Sequence, residues 1–226
     1  DALYRIQNAD ASLEGVSFQL ETPEGVLRLQ APVIGLFNIE NVAGTVALAH
    51  ALGIDKRVLT ETVADFHGAP GRLQPVVSES GVKAFVDYAH TDDALKNVLE
   101  TLRALNPHRL SVLFGCGGDR DRTKRPRMGR VAAELADRVY VTSDNPRSED
   151  PAAIVEDIRQ GIPDDADCKF VSDRREAIQC ALGEAEPGDV VLIAGKGHET
   201  YQEVGDRKLP FDDIEEVRRA LGQTST

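Results

Sequence analysis

A chain of 226 residues with 41% apolar content can pack one large domain or two small ones, which excludes disorder as its organising state. Its 38 acidic against 26 basic residues give a net charge of -12, which repels nucleic acid and anionic membrane surfaces, so neither is expected as a partner. Three cysteines, Cys116, Cys168 and Cys180, lack disulfide-framework or zinc spacing and read as packed thiols of a reducing compartment. No apolar run approaches the roughly 18 residues of a membrane span and no signal-peptide pattern opens the chain, so the expected location is the cytoplasm.

The chain begins at Asp1 without an initiator Met, in what reads as a β region, as expected for a piece of a longer polypeptide. "SFQLETPEGVLRLQAPV", residues 17 to 33, alternates on either side of Pro-Glu-Gly and predicts a hairpin. Helical patterns cover Asn38 to Leu52 and Lys56 to Phe66, broken at Gly53. The texture changes at "HGAPGRLQPV", residues 67 to 76, which divides the chain into 1–70 and 71–226. Beyond it strand and helix alternate. Strands are predicted at Val82 to Tyr88, Leu110 to Phe114, Arg138 to Val141, Lys169 to Val171 and Val190 to Ala194. Helices are predicted at Thr91 to Leu105, Lys124 to Ala136, Pro151 to Gln160, Asp173 to Glu184 and Phe211 to Leu221. Strands separated by helices of this length give an α/β domain with a doubly wound, mostly parallel sheet, Rossmann-like in form.

In such sheets ligands bind outside the carboxyl ends of the strands. The unusual residues fall there, in "DYAHT", "GCGGDRD", "SDNPR" and "GKGHE". Each has a dull reading: glycines ease tight loops, an Asp before a helix is an N-cap, and a lone His is usually structural. Four such loops on one edge outweigh those readings. In "FGCGGDRD", Gly115, Gly117 and Gly118 are placed to offer backbone N–H groups as an anion nest, yet the spacing is not the dinucleotide fingerprint. "AGKGHE" has a Gly-Lys pair, but Gly197 stands where a phosphate loop needs Ser or Thr. In "TSDNPRSEDP", residues 142 to 151, Asp, Asn and Pro suffice for a turn and Arg147 is surplus. The bland reading of Arg147 is a solvated pair with Glu149 or Asp150. The functional one groups Arg120, Asp144, Asn145, Arg147 and Glu199, whose guanidiniums suit a carboxylate and whose carboxylates suit an ammonium group, a set fitted to an amino acid.

Together "DNPR", "GCGGDRD", "KRP", "DYAHT", "PGR" and "AGKGHE" resemble the Mur ligases of peptidoglycan synthesis, from about Ile34 to Phe211. The likeness is greatest to the members that add meso-diaminopimelate to UDP-N-acetylmuramoyl-L-alanyl-D-glutamate. It implies that 1–70 is the end of a central ATPase domain and 71–226 the C-terminal domain that brings the amino acid. It implies that Arg120, Asp144, Asn145, Pro146, Arg147, Gly195 and Glu199 bind meso-diaminopimelate. Arg72, Asp87, Tyr88 and His90 would face ATP, joined by Asn38 and Asn41 of an Asn-x-x-Asn pattern. Asp92 stands where the family usually has Pro, at a helix start where an acid also suits the dipole. The complete enzyme would use ATP and Mg²⁺ to form an acyl phosphate that the amine attacks. The family's phosphate loop, carbamylated lysine and UDP-sugar domain have no counterpart in these residues, so the chain is expected to be inactive alone, with no catalytic or metal-binding residue of its own. The alternatives are a related ligase using L-lysine or extending folate with glutamate, against which "DNPR" speaks, and a non-catalytic small-molecule module.

Overall fold

The structure, a computed structural model, describes residues 2–76 and 80–223. Residues form two compact units, Asp1–Ala69 and Pro70–Thr226.

In the first unit, β1 (Arg5–Ser12), β2 (Gly15–Thr22) and β3 (Gly25–Ala31) form an antiparallel sheet in that order. The β2–β3 pair is the predicted hairpin, with Thr22 opposite Gly25. Phe18, Leu20, Leu27 and Leu29 of one face bury against Ile39, Val42 and Val46 of α1 (Phe37–Ala51) and Leu59 and Val63 of α2 (Lys56–Ala64). Asp55 caps α2 by accepting from Arg57 N at 2.8 Å.

The second unit carries a six-stranded sheet in the order β4 (Gln74–Val76), β5 (Lys83–Asp87), β9 (Val190–Ala194), β6 (Leu110–Phe114), β7 (Arg138–Val141) and β8 (Cys168–Phe170). Only β4 is antiparallel to its neighbour. Strands β6 and β9 are buried along their whole length, as apolar runs covered on both faces must be. One face, with Ala84, Val86, Leu113, Tyr140, Val191 and Ile193, packs on Ala177, Ile178 and Ala181 of α6 (Arg174–Gly183) and Val217 of α7 (Asp213–Ala220). The alternate residues Phe85, Val112, Phe114, Val139 and Leu192 are equally buried on the opposite face. There α3 (Asp92–Arg103) packs on α4 (Lys124–Leu135), and α4 on α5 (Pro151–Arg159). The fold is the expected doubly wound α/β arrangement.

Local signals explain the helix starts. Thr91 Oγ1 accepts from Ala94 N at 3.2 Å, and Asp92 and Asp93 fill the first turn of α3 while Leu95, Leu99 and Leu102 face the core. Asp150 caps α5, with Pro151 in the first helical position.

Most boundaries move by one or two residues from expectation. The two-residue shifts are α2, which stops at Ala64, α3, which stops at Arg103, and α7, which begins at Asp213 because Asp212 accepts from Ile214 N and Glu215 N. Strand β4 and the hairpin β10 (Tyr201–Val204) with β11 (Arg207–Pro210) were not expected. The thiols are free, and burial pushes Cys116 up to about 12 and Cys168 to about 11, so they stay protonated and inert.

Candidate functional site

Asp87 pairs with Ala194 and Phe114 with Val141, so β5, β9, β6 and β7 end level. The loops opening at Tyr88, Gly115, Thr142 and Gly195 therefore leave the sheet along one edge.

Asp144 and Asn145 are buried where the β7 loop meets the β9 loop. Burial raises the Asp144 carboxyl above its ordinary range, against the opposing pull of the Arg174 and Lys196 charges and the bond from Asn145 N at 2.7 Å. A Cβ at Gly195, where φ is +117°, would lie 2.7 Å from Asp144 Oδ2, so this position requires glycine. Asn145 is held on every side: Nδ2 donates to Glu199 Oε2 at 2.9 Å, while Oδ1 accepts from Lys196 Nζ at 3.1 Å and Glu203 N at 2.9 Å. Lys196, wholly buried, also reaches Glu199 Oε2 at 3.1 Å. Beneath them Arg174, also wholly buried, pairs with Asp213 at 2.7 Å and donates to Ala194 O at 3.0 Å, anchoring the end of β9.

Arg147 is not paired with Glu149 or Asp150. Its Nε meets Glu203 Oε2 at 2.8 Å and its Nη1 donates to Gly118 O at 2.8 Å. Glu149 instead serves buried Arg125 and Asp119 N, and Asp150 caps α5. Pro146 sets the turn, its carbonyl accepting from Glu149 N at 3.0 Å.

Of the three glycines after β6, Gly118 does not offer its N–H to an anion. Gly118 N donates to Asn145 O at 2.9 Å and Asp119 N to Glu149 Oε1 at 2.7 Å, so these donors are spent on the β7 loop. The glycines act by admitting that loop: a Cβ would lie 2.4 Å from Thr142 O at Gly115 and 1.9 Å from Pro146 O at Gly118. At Gly117 it would meet Arg147 Nη1 at 2.9 Å and Arg120 Cγ at 3.8 Å, so this glycine leaves the gap between the two arginines. Arg120 itself is exposed and donates to Asp119 O at 3.1 Å.

A second cluster lies on the β5 side. The Arg72 guanidinium is 5.1 Å from the centroid of Tyr88, which also packs on His90 at 4.7 Å and His198 at 5.4 Å. Asp87 is buried and its carboxyl raised by burial; it spends both oxygens on backbone, accepting from Leu73 N and Ala89 N at 2.7 Å each. It shapes this cluster by tying the "PGR" turn to the end of β5. Asn38 and Asn41 lie on α1 in the first unit, joined by a 3.1 Å bond from Asn41 Nδ2 to Asn38 Oδ1.

The sequence reading missed Lys196, His198, Gln202 and Glu203. For Lys196 and His198 a signal was present, since Gly195 and Gly197, both at positive φ, bracket Lys196, and Gly197 directly precedes His198.

A family profile described as "Mur ligase, glutamate ligase domain" matches residues 71–197. The chain belongs to the Mur ligase family. The UDP-N-acetylmuramoyl-L-alanyl-D-glutamate–2,6-diaminopimelate ligase of Trichormus variabilis is 48% identical over 217 residues, covering 94% of this chain and 44% of the relative. A solved structure of a ligase of the same name superposes with a TM-score of 0.77 at 44% identity, over 98% of this chain and 45% of that one. A folylpolyglutamate synthase of Mycobacterium tuberculosis, at 19% identity and a TM-score of 0.68 over 100% of this chain and 49% of that one, shares the fold alone. This Mur ligase chain thus spans less than half the length of the relatives it matches.

Proposed function

We propose that this chain is the amino-acid-receiving part of an ATP-dependent cytoplasmic ligase that joins meso-diaminopimelate to UDP-N-acetylmuramoyl-L-alanyl-D-glutamate in peptidoglycan synthesis. The observation that carries the reading is the packed set Asp144-Asn145-Pro146-Arg147 with Glu199, set beside the Arg120–Gly117–Arg147 gap. Arg147 and Arg120 take the distal carboxylate of the amino acid, Asp144 and Glu199 its ammonium, and Asn145 fixes both loops in register. On this reading 1–70 closes a central ATPase domain in which Asn38 and Asn41 are the nucleotide-facing residues, and in 71–226 Arg72, Tyr88 and His90 face the nucleotide while Asp87 holds the neighbouring Leu73 and Ala89 N–H groups.

The chemistry is amide formation in two steps. The glutamyl carboxylate oxygen attacks the γ-phosphorus of ATP and ADP leaves. The amine nitrogen then attacks the acyl carbon, the C–O bond to phosphate breaks, and the amine loses a proton. The part played by these residues is to hold the amine in near-attack geometry, an effect worth about 7 to 11 kcal/mol where orientation is complete. The complete ligase would use Mg²⁺; among the described residues no group of three or more His, Cys, Asp or Glu is placed to hold a metal ion.

The test is a phosphate-release assay of the full-length ligase. Turnover should require both the UDP-muramoyl dipeptide and meso-diaminopimelate, with L-lysine poorer by about 10⁴-fold in kcat/KM, because it leaves buried polar groups unmatched. Equal use of L-lysine or of glutamate would overturn the assignment.

A further inference from the structure

The β10–β11 hairpin is polar, was invisible to pattern reading and has no role in the proposal above, yet it is bonded to the β7 loop at Asp144, Asn145 and Arg147. Its two-residue turn, Gly205-Asp206, brings Val204 opposite Arg207. Gln202 Nε2 donates to Asp144 O at 2.6 Å, Glu203 N to Asn145 Oδ1 at 2.9 Å, Arg147 N to Glu203 O at 3.1 Å and Gly205 N to Arg147 O at 2.8 Å. Arg147 and Val204 form an isolated parallel bridge.

One residue touches both recognition side chains. Glu203 binds Asn145 through its backbone N–H and Arg147 through its carboxylate, Nε to Oε2 at 2.8 Å. Its other oxygen faces Lys208 Nζ at 3.4 Å, and that ammonium sits 4.2 Å from the Tyr201 ring centroid. Burial alone would raise the Glu203 carboxyl, but Lys208 and Arg147 outweigh it and hold it low, so it stays charged beside an incoming carboxylate. Arg147 also stands at φ +51°, a conformation uncommon for a residue with a side chain, and the hairpin bonds both its N–H and its C=O there. The two bonds to the guanidinium use Nε and Nη1. Neither uses Nη2, which leaves the far end of the fork for a ligand.

A plain surface ion pair is the competing explanation, and such pairs do little. Here, however, both carboxylate and guanidinium side chains are about four-fifths covered, at 22% and 23% exposure, and the backbone is tied at the same two residues.

We propose that Glu203 is a positioning residue that aims Arg147, so that the β10–β11 hairpin sets how strongly the pocket prefers an amino acid with a second ammonium–carboxylate head. The proposal rests on the functional reading above, and its test separates the two. In the 226-residue chain, ¹⁵N spectra of arginine side chains should show a shifted, slowly exchanging Arg147 Nε–H without any ligand. It should revert toward the exposed-arginine position in Glu203→Ala and be largely retained in Glu203→Gln, whose amide oxygen still accepts. In the full-length ligase Glu203→Ala should raise KM for meso-diaminopimelate by about tenfold, with KM for ATP and for the UDP-muramoyl dipeptide within about twofold. The preference for meso-diaminopimelate over L-lysine should fall by a similar factor, and Glu203→Gln should restore most of it. An unchanged Arg147 signal, or unchanged selectivity in Glu203→Ala, would overturn the positioning role. If the parent enzyme ignores meso-diaminopimelate while the signal still collapses in Glu203→Ala, the substrate reading falls and the aiming of Arg147 by Glu203 stands.

Discussion

The two edges of the six-stranded sheet handle charge in opposite ways. At the amino edge Glu184 and Asp189 are answered by donors of the scaffold. Glu184 accepts from Lys169, Arg138, Tyr140 and Cys180 and is held down to about 2, chiefly by Lys169; Asp189 takes Arg109, His108 and Glu186 N and is also held low. At the carboxyl edge Asp87 and Asp144 are pushed up by burial that nearby positive charge does not cancel. An acid whose partners hold it ionised works as a fastener, whereas a carboxyl that burial keeps above its ordinary range is the kind of group that clusters at functional sites.

Substitutions at each edge should therefore separate catalysis from stability. The largest effect is expected at Arg147. In the full-length ligase Arg147→Ala should raise KM for meso-diaminopimelate by about 10²-fold or more, since each charge-assisted bond contributes roughly 1.5 to 3 kcal/mol, with KM for ATP unchanged. Arg147→Lys should not rescue it, because an ammonium cannot make the fork. Steady-state kinetics decide, and normal use of meso-diaminopimelate by either variant would remove the distinction between the edges.

At the amino edge the ranking reverses. Asp189→Asn leaves Arg109 and His108 without their carboxylate and should lower stability by about 1 to 3 kcal/mol in urea denaturation while KM stays put. A kinetic defect there would show that the edges are not independent. Glu184 gives a slope rather than a step. Its folded pKa, about 2, lies below its ordinary 4.5, so its contribution is present above 4.5 and is lost as pH falls through about 2. Stability measured across that window should decline less steeply in Glu184→Gln than in the parent. The smallest effect belongs to Asp150, which follows the "DNPR" loop and caps α5. Asp150→Ala should cost about 1 kcal/mol in thermal unfolding, with kinetics unaltered.

The same contrast governs what could be read in advance. Strands β6 and β9 announce themselves because a sheet covered on both faces demands unbroken apolar runs, and α3 because Thr91 and two acids mark its start. The "DNPR" loop was legible because Arg147 exceeds what a turn needs. The β10–β11 hairpin was not, because its strands form a two-stranded sheet of their own and carry no apolar alternation; the Gly205-Asp206 turn was its one signal. Gly115 and Gly118 were misread for a related reason. A glycine that offers its N–H to an anion and one that admits a neighbouring backbone are the same letter, and only the position of Thr142 O and Pro146 O tells them apart. Lys196 escaped because the Gly-Lys pair was judged solely against phosphate-loop spacing, not as an internal ammonium tying Asn145 to Glu199.

Strand β9 lies between β5 and β6, although it is the last core strand in the chain; Val190 is aligned with both Lys83 and Leu110. During synthesis on a ribosome, β5 and β6 emerge long before the strand that joins them, and their facing edges wait unpaired. The "GKGHE" loop and the hairpin bonded to Arg147 follow β9 directly, so the proposed amino-acid site comes into being with the final strand insertion. A product released before Val190 would carry two bare hydrophobic strand edges without the residues of that proposed site, a species fit for aggregation or proteolysis.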